Sequence, residues 1–249
     1  MRAIADLWAR LRGSSPIGLT LVTACDTSHA RSAINFLASA KRYEPATPVV
    51  VYDLGMTDEE RDQIRDRFGH EVRRFEFEKY PAFFDIRVAA GEYAWKPQII
   101  REVALQSPGV VCWMDAGNII TEPLQKLRRE TQKFGYYSPH SSGTVQEWTH
   151  PRMLSYFGLS SDWQATSPNL NGACIAFDMR STVGVQLVKE WADCAMVREC
   201  IAPEGSSRAN HRQDQSLLTI LAYRVGRSPE ASNKYLGYEI QQDVELQSA

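Results

Sequence analysis

The sequence predicts an α/β fold in which a mostly parallel central sheet is flanked by helices. Three observations carry that reading. Short β-branched apolar runs alternate with stretches of helical periodicity. Their order from the start is strand–helix–strand–helix–strand, which requires a parallel sheet with right-handed crossovers. The chain has 249 residues, 43% of them hydrophobic, enough for one substantial core or at most two small ones. No repeat, low-complexity tract or linker divides it. Residues 17–249 therefore read as a single domain behind an N-terminal amphipathic helix over residues 1–16.

Ile17 to Ala24 is the first buried strand, followed by Asp26, Thr27 and Ser28 as N-cap candidates. Ala33, Phe36, Leu37 and Ala40 then fall on one helical face, and that helix runs to about Tyr43. Pro48 to Tyr52 is the second strand. Thr57-Asp58-Glu59-Glu60 opens a helix as a capping box and carries it to about Phe68. Glu71 to Phe77 alternates as a third strand, and Glu78 to Ala90 is irregular and aromatic-rich. Tyr93 to Gln106 is a helix that tolerates Pro97 in its first turn. Val110 to Met114 is a buried strand, Thr121 to Lys133 a helix, and Phe134 to Tyr137 a further short strand. Ser138 to Asn171 is a long irregular stretch rich in Ser, Thr, Trp, His and Pro, of the kind that usually serves function. Gly172 to Phe177 is the last apolar strand. Helices over Ser181 to Cys200 and Gln213 to Tyr223 flank a polar loop over Pro203 to Asn210.

A net charge of −2 gives no reason to expect nucleic acid as a partner. Cys25, Cys112, Cys174, Cys194 and Cys200 show no metal-binding spacing, and the three inside apolar runs, Cys112, Cys174 and Cys194, read as small buried hydrophobes in a reducing compartment. No run approaches the ~20 apolar residues that cross a bilayer, and the N-terminus lacks a signal-peptide core. The expected location is cytoplasmic. Residues 1–12 offer either a weak contact with the inner membrane surface or a helix packed on the domain or a partner.

In such sheets ligands bind beyond the carboxyl ends of the strands. That singles out Ala24-Cys25-Asp26, Asp53 and Asp115-Ala116-Gly117-Asn118. Asp115 there accepts hydrogen bonds from a ribose or sugar hydroxyl, binds a cation, or is an ordinary turn residue. Lys96 opens a helix, where the macrodipole disfavours a cation unless it meets an anion; the plain alternative is a solvated lysine. Amides in Asn169-Leu170-Asn171-Gly172 suit sugar hydroxyls as well as turns. Asp214 and Gln215 open a helix, where the carboxylate either matches the dipole or faces a reacting sugar carbon. His211 binds a diphosphate, a metal or neither.

Taken in order, these segments resemble the GT-A glycosyltransferases, and among them the family-8-like, galactosyltransferase-type proteins. The resemblance runs from Leu19–Asp26 through Trp95-Lys96-Pro97, Val111–Gly117 and Asn171–Asp178 to His211–Leu218. It implies donor-binding roles for Thr23, Ala24, Cys25, Asp26, Lys96, Asp115, Ala116, Asn118 and Gly172, and catalytic roles for Asp214, Asn171 and Gln215. The family's Asp-x-Asp pair is degenerate here, because Gly117 stands where the second aspartate belongs. Two readings remain open. Asp115, Asn118 and His211 hold Mn²⁺ or Mg²⁺ together with the pyrophosphate, or the enzyme needs no metal and Lys96, arginines and backbone N–H groups neutralise the leaving group.

The implied activity is transfer of a sugar from a nucleotide-sugar donor, a UDP-sugar by preference, to a saccharide or other hydroxyl acceptor. Stereochemistry would be retained, in a setting such as bacterial surface-polysaccharide synthesis. One alternative is a non-catalytic saccharide- or nucleotide-binding module with a decayed site. Another is a nucleotidyltransferase, against which the glycine-free loop Ala24–Ser28 argues. The lack of a G-x-S-x-G segment argues against a hydrolase of the Ser–His–Asp type.

Overall fold

The structure is a computed structural model and describes residues 18–159, 162–226, 235–240 and 242–243. The helix expected over residues 1–16, and with it the membrane contact expected of residues 1–12, lies outside them. The first half alternates β1 (Leu19–Cys25), α1 (Ala30–Tyr43), β2 (Val49–Asp53), α2 (Asp58–Phe68), β3 (Glu71–Arg74), α3 (Trp95–Ala104) and β4 (Val110–Met114). The second half contains β5 (Ile119–Ile120), α4 (Gln125–Phe134), β6 (Tyr136–Tyr137), β7 (His140–Thr144), α5 (Val145–Trp148), α6 (Pro151–Tyr156), β8 (Pro168–Leu170) and β9 (Cys174–Asp178). It continues through α7 (Thr182–Ala195), α8 (Arg198–Ile201) and α9 (Gln213–Arg224) to β10 (Tyr238–Glu239).

The main sheet has the order β3-β2-β1-β4-β9-β6. β1 to β4 are parallel to one another, and β9 runs antiparallel to both β4 and β6. β7 and β8 form one small sheet, β5 and β10 another. The expected fold class, a mostly parallel sheet flanked by helices, is the one observed. Successive strand residues serve opposite faces: Val22, Trp113 and Phe177 pack on one side, and Leu21, Cys112 and Ala176 on the other. Helices cover both sides, so β2, β4 and β9 are buried along their whole length.

Local chemistry sets the boundaries. The Thr57–Glu60 capping box starts α2, and Gly69 ends it in the left-handed conformation at φ 67°. β3 stops at Arg74, short of the expected Phe77, because Phe75 turns into the core and stacks on Tyr80, its ring 4.8 Å away. In the stretch expected to be irregular, Ser138 to Asn171, the described residues form two short strands, two short α-helices and one 3-10 turn. The helix expected over Ser181 to Cys200 breaks after Ala195, and a disulfide joins Cys194 to Cys200 across the break, their Cα atoms 5.7 Å apart. This corrects the reading of Cys194 as a free buried hydrophobe and removes cysteine usage as support for a reducing compartment. Cys25, Cys112 and Cys174 are free and buried. Among the described residues no helix is long and apolar enough to cross a membrane.

One buried ion pair ties α4 to the chain after α1. Arg128 grips Glu44 with both guanidinium nitrogens, at 2.9 and 2.5 Å. The same carboxylate accepts from the Leu124 amide at 2.7 Å and the Thr47 hydroxyl at 2.5 Å. Burial works against its charge, but Arg128, Thr47 and Leu124 together hold the Glu44 carboxyl below its ordinary value.

Candidate active site

Strand order reverses at β1: the chain goes outward through β2 and β3, then returns to place β4 on the other side. A crevice opens at the carboxyl ends of strands on either side of such a switch. Here it is a cleft of about 530 Å³, lined by Ala24, Cys25 and Asp26 after β1 and by Asp115, Ala116, Gly117 and Asn118 after β4. Because β9 is antiparallel, its entry residues Asn171, Gly172 and Ala173 arrive at the same edge, where the Asp115 amide donates to the Ala173 carbonyl at 2.9 Å. α9 brings Gln213, Asp214 and Gln215 to the opposite wall.

Lys96 lies at the centre of the cluster, buried in the first turn of α3. Its ammonium donates to Asp115 Oδ1 at 3.0 Å and to the Gly172 carbonyl at 3.1 Å, and lies 3.2 Å from Asp214 Oδ2. These three oxygens surround the ammonium and account for a cation at a helix N-terminus. Burial alone would lower the Lys96 value, but Asp115 and Asp214 outweigh it and raise it. Burial also raises the Asp214 carboxyl, against the pull of Lys96. Asp214 Oδ2 has the ion contact but no aligned hydrogen bond. The Trp113 indole donates to Asp115 Oδ1 at 2.6 Å and fixes that carboxylate. The side chains of Lys96 and Asp214 are 5% and 7% exposed and that of Asp115 is 42% exposed, so Asp115 is the member that faces the open cleft.

The amides form a framework around this cluster. Asn171 Oδ1 accepts from the Ala173 amide at 2.7 Å, and the Gly172 amide donates to Gln215 Oε1 at 3.1 Å. A Cβ on Gly172 would lie 3.3 Å from Gln215 Cβ and 3.4 Å from Asp214 Oδ2, so the backbone approach is close. Asn118 donates through Nδ2 to the Ala173 carbonyl at 2.8 Å, while its Oδ1 is buried without a partner. After β1, Asp26 accepts from Ser28 and His29, and the His29 hydrogen bond lowers its value to about 2.

The structure thus brings together Ala24, Cys25, Asp26, Lys96, Asp115, Ala116, Asn118, Asn171, Gly172, Asp214 and Gln215. It leaves two of the expected residues outside. Thr23 is fully buried within β1 and does not line the cleft. His211 is also fully buried; its Nδ1 accepts from the His150 amide at 3.2 Å and its Nε2 donates to the Ile201 carbonyl at 2.8 Å. Burial lowers its value to about 4, and neither nitrogen is left for a metal or a diphosphate.

Sequence reasoning missed several cleft residues. Arg208 lies over the Tyr93 ring at 5.2 Å from its centroid, and Arg212 lies over Trp148 at 3.9 Å. Neither guanidinium has an acidic partner among the described residues, and burial together with Arg208 lowers the Arg212 value. Residues 89–93 wind left-handed, with φ of 48° to 61°, and Gln213 has φ 35°. Glu92 accepts from Gln213 at 3.3 Å and joins the two strained segments at the cleft wall. No local pattern announces these contacts, since Tyr93, Trp148 and Arg212 come from three separate elements.

Comparison with solved structures places this geometry. The chain is similar to WbbM, a bifunctional glycosyltransferase solved in its apo form, at 13% identity and a TM-score of 0.53, over 84% of this chain and 38% of that one. It is similar to core-mannan synthase A (CmsA/Ktr4) from Aspergillus fumigatus in its Mn/GDP form, at 9% identity and a TM-score of 0.55, over 84% and 70%. An active-site mutant of LgtC matches at 11% identity and a TM-score of 0.53, over 89% and 86%. The fold is GT-A. At these identities the likeness is one of fold. Residues 13–101 match a family model described as "Protein of unknown function (DUF1647)". No curated protein matched the chain by sequence.

Proposed function

We propose that this chain transfers a glycosyl group from a nucleotide-sugar donor, a UDP-sugar by preference, to a hydroxyl of a saccharide or other acceptor, with retention of configuration. One observation carries the reading: Asp115 and Asp214, from distant parts of the chain, converge on the single buried ammonium of Lys96 at the switch-point cleft. The cluster holds two carboxylates against one cation and opens on a cleft walled by amides, which suits a polyhydroxyl ligand that becomes positively charged as it reacts.

In this reading Ala24, Cys25 and Asp26 meet the base, and Asp115 accepts from the ribose. Asn171, Gly172 and Gln215 border the transferred sugar. The bond between the anomeric carbon and the diphosphate oxygen breaks, and its electron pair leaves with the diphosphate. The acceptor oxygen bonds the anomeric carbon and passes its proton to the departing diphosphate oxygen. The transition state is oxocarbenium-like, and the buried Asp214 carboxylate stabilises its positive charge. Lys96 holds the two carboxylates in place. Arg208 and Arg212 supply unpaired positive charge for the anionic donor. Ser141, Ser142 and Trp148, from the long stretch over Ser138 to Asn171, line the cleft as well and face the acceptor in this reading.

The residues after β4 fit a divalent cation, because the buried Asn118 Oδ1 lacks a partner and Asp115 faces the cleft. Asp115 and Asn118 would hold it, and Mn²⁺ or Mg²⁺ there supplies charge that stabilises the departing diphosphate. Nucleotidyl transfer is not favoured: the loop after β1 is a short turn capped by Asp26, without glycine amides to cradle a triphosphate.

The test is incubation of the purified chain with UDP-, GDP- and CMP-sugars, with and without Mn²⁺, reading free nucleotide. Slow donor hydrolysis is expected with at least one donor, falling by ~100-fold or more in Asp115→Asn and Asp214→Asn. Absence of binding and hydrolysis across the panel, or activity that survives both substitutions, overturns the proposal.

A further inference from the structure

Gly117 stands where an aspartate would complete a pair with Asp115, yet the space beside it is not empty. A Cβ built on Gly117 would lie 2.3 Å from Asp243 Oδ1, 2.6 Å from its Cγ and 2.7 Å from its Oδ2. A side chain at 117 and the Asp243 carboxylate therefore exclude one another. The approach is anchored. β10 pairs antiparallel with β5, Tyr238 opposite Ile120, and the Tyr238 and Tyr137 hydroxyls meet at 2.9 Å in the interior. Beyond the strand, the Gln242 amide donates to the Gly117 carbonyl at 2.7 Å. Asp243 then lines the cleft with Asp115 and Asn118.

We propose that Asp243, carried by the C-terminal segment, supplies the carboxylate that position 117 lacks and completes a divalent-cation site with Asp115 and Asn118. The proposal rests on the reading of the cleft as a donor site. Hard cations such as Mn²⁺ and Mg²⁺ take oxygen ligands, carboxylates above all. Asp115 spends Oδ1 on Lys96 and Trp113 and has no described partner for Oδ2. The Asn118 amide is oriented by its Nδ2–Ala173 hydrogen bond, which leaves the buried Oδ1 without a donor. Such an oxygen is costly to bury unless something electropositive meets it. Gly117 is thus the complement of Asp243: glycine makes room for a carboxylate that reaches the site from the far end of the chain. The trade also makes cation binding depend on how the C-terminal segment docks.

The experiment is titration of the purified full chain with Mn²⁺, with and without UDP, followed by the loss of the free Mn²⁺ paramagnetic-resonance signal. Wild type binds Mn²⁺. Asp243→Asn weakens binding by at least ~10-fold without lowering the melting temperature, because Asp243 is exposed. Combining Gly117→Asp with Asp243→Ala, which clears the space beside position 117, restores the affinity, since the carboxylate returns from there. Unchanged Mn²⁺ affinity in Asp243→Asn overturns the proposal, as does a wild-type chain that binds no Mn²⁺ even with UDP. Donor turnover that ignores Mn²⁺ and Asp243→Asn sinks the cation site and leaves the transfer reading standing. Mn²⁺ binding that follows Asp243, with no donor turned over, supports the site and sinks the transfer reading.

Discussion

Two of the clusters of buried charge among the described residues differ in how they are completed. In the Glu44–Arg128 pair one carboxylate meets one guanidinium, and an amide and a hydroxyl take up the remaining acceptor capacity. Nothing in it faces a cleft. In the Lys96–Asp115–Asp214 cluster one ammonium serves two carboxylates, Asp214 Oδ2 lacks an aligned hydrogen bond, and Asp115 opens on the switch-point cleft. The first arrangement is saturated and fixes α4 to the chain after α1. The second is unsaturated and negative, and it lies where ligands bind in folds of this type. The difference teaches that burial of charge alone does not mark a functional site; incomplete satisfaction beside a cleft does.

Substitutions separate the two, and the largest effect is expected at Lys96. Lys96→Met leaves Asp115 and Asp214 facing each other without a cation. Urea unfolding should show a loss of about 3–5 kcal/mol, with donor turnover abolished, and adding Asp214→Asn should recover part of the stability but none of the turnover. Arg128→Met comes next. It strands a buried Glu44 and should cost about 3 kcal/mol, while Glu44→Leu with Arg128→Met should return to within ~1 kcal/mol of wild type. Nucleotide affinity should be unchanged in the double variant. If it falls with stability, the structural cluster and the cleft are coupled and the contrast fails.

The smallest effect is in pH dependence, and its sign differs between the clusters. The Glu44 carboxyl is held below its unfolded value of about 4.3. Its stabilisation is therefore present above that value and lost as pH falls through the folded one. Asp214 is raised above its unfolded value of about 3.9. Its folded form prefers the proton, so its contribution is complete below the unfolded value and lost as pH rises through the folded one. Difference curves of stability against pH should accordingly slope in opposite directions for Glu44→Gln and Asp214→Asn. Curves of the same slope would show that Asp214 is a second structural carboxylate.

What the sequence discloses follows the range of the interactions. β1, β2 and β4 and the α2 capping box were legible because apolar runs and the Thr57–Glu60 pair are local. Lys96 was legible as a cation in the wrong place on a helix. Its partners were not, since Asp115 and Asp214 come to it only through the tertiary fold. His211 misled because a histidine beside Arg-Gln-Asp-Gln reads the same whether it faces a cleft or lies in the core with both nitrogens on backbone groups. The Cys194–Cys200 bond depends on the break after Ala195, which helical periodicity across Ser181–Cys200 hides. Arg208, Arg212 and Asp243 lie on loops and a terminal segment, where no periodic pattern orients a side chain. Gly117 was the one local trace of Asp243, and it read as a loss.

The most direct test is donor hydrolysis measured side by side in wild type, Glu44→Gln and Asp214→Asn, each checked for folding by its unfolding transition. The expected result is turnover in Glu44→Gln equal to wild type once the folded fraction is counted, and turnover in Asp214→Asn reduced by ~100-fold or more in a folded protein. Equal losses in the two variants, or full turnover in Asp214→Asn, would contradict the assignment of the unsaturated cluster as the active site.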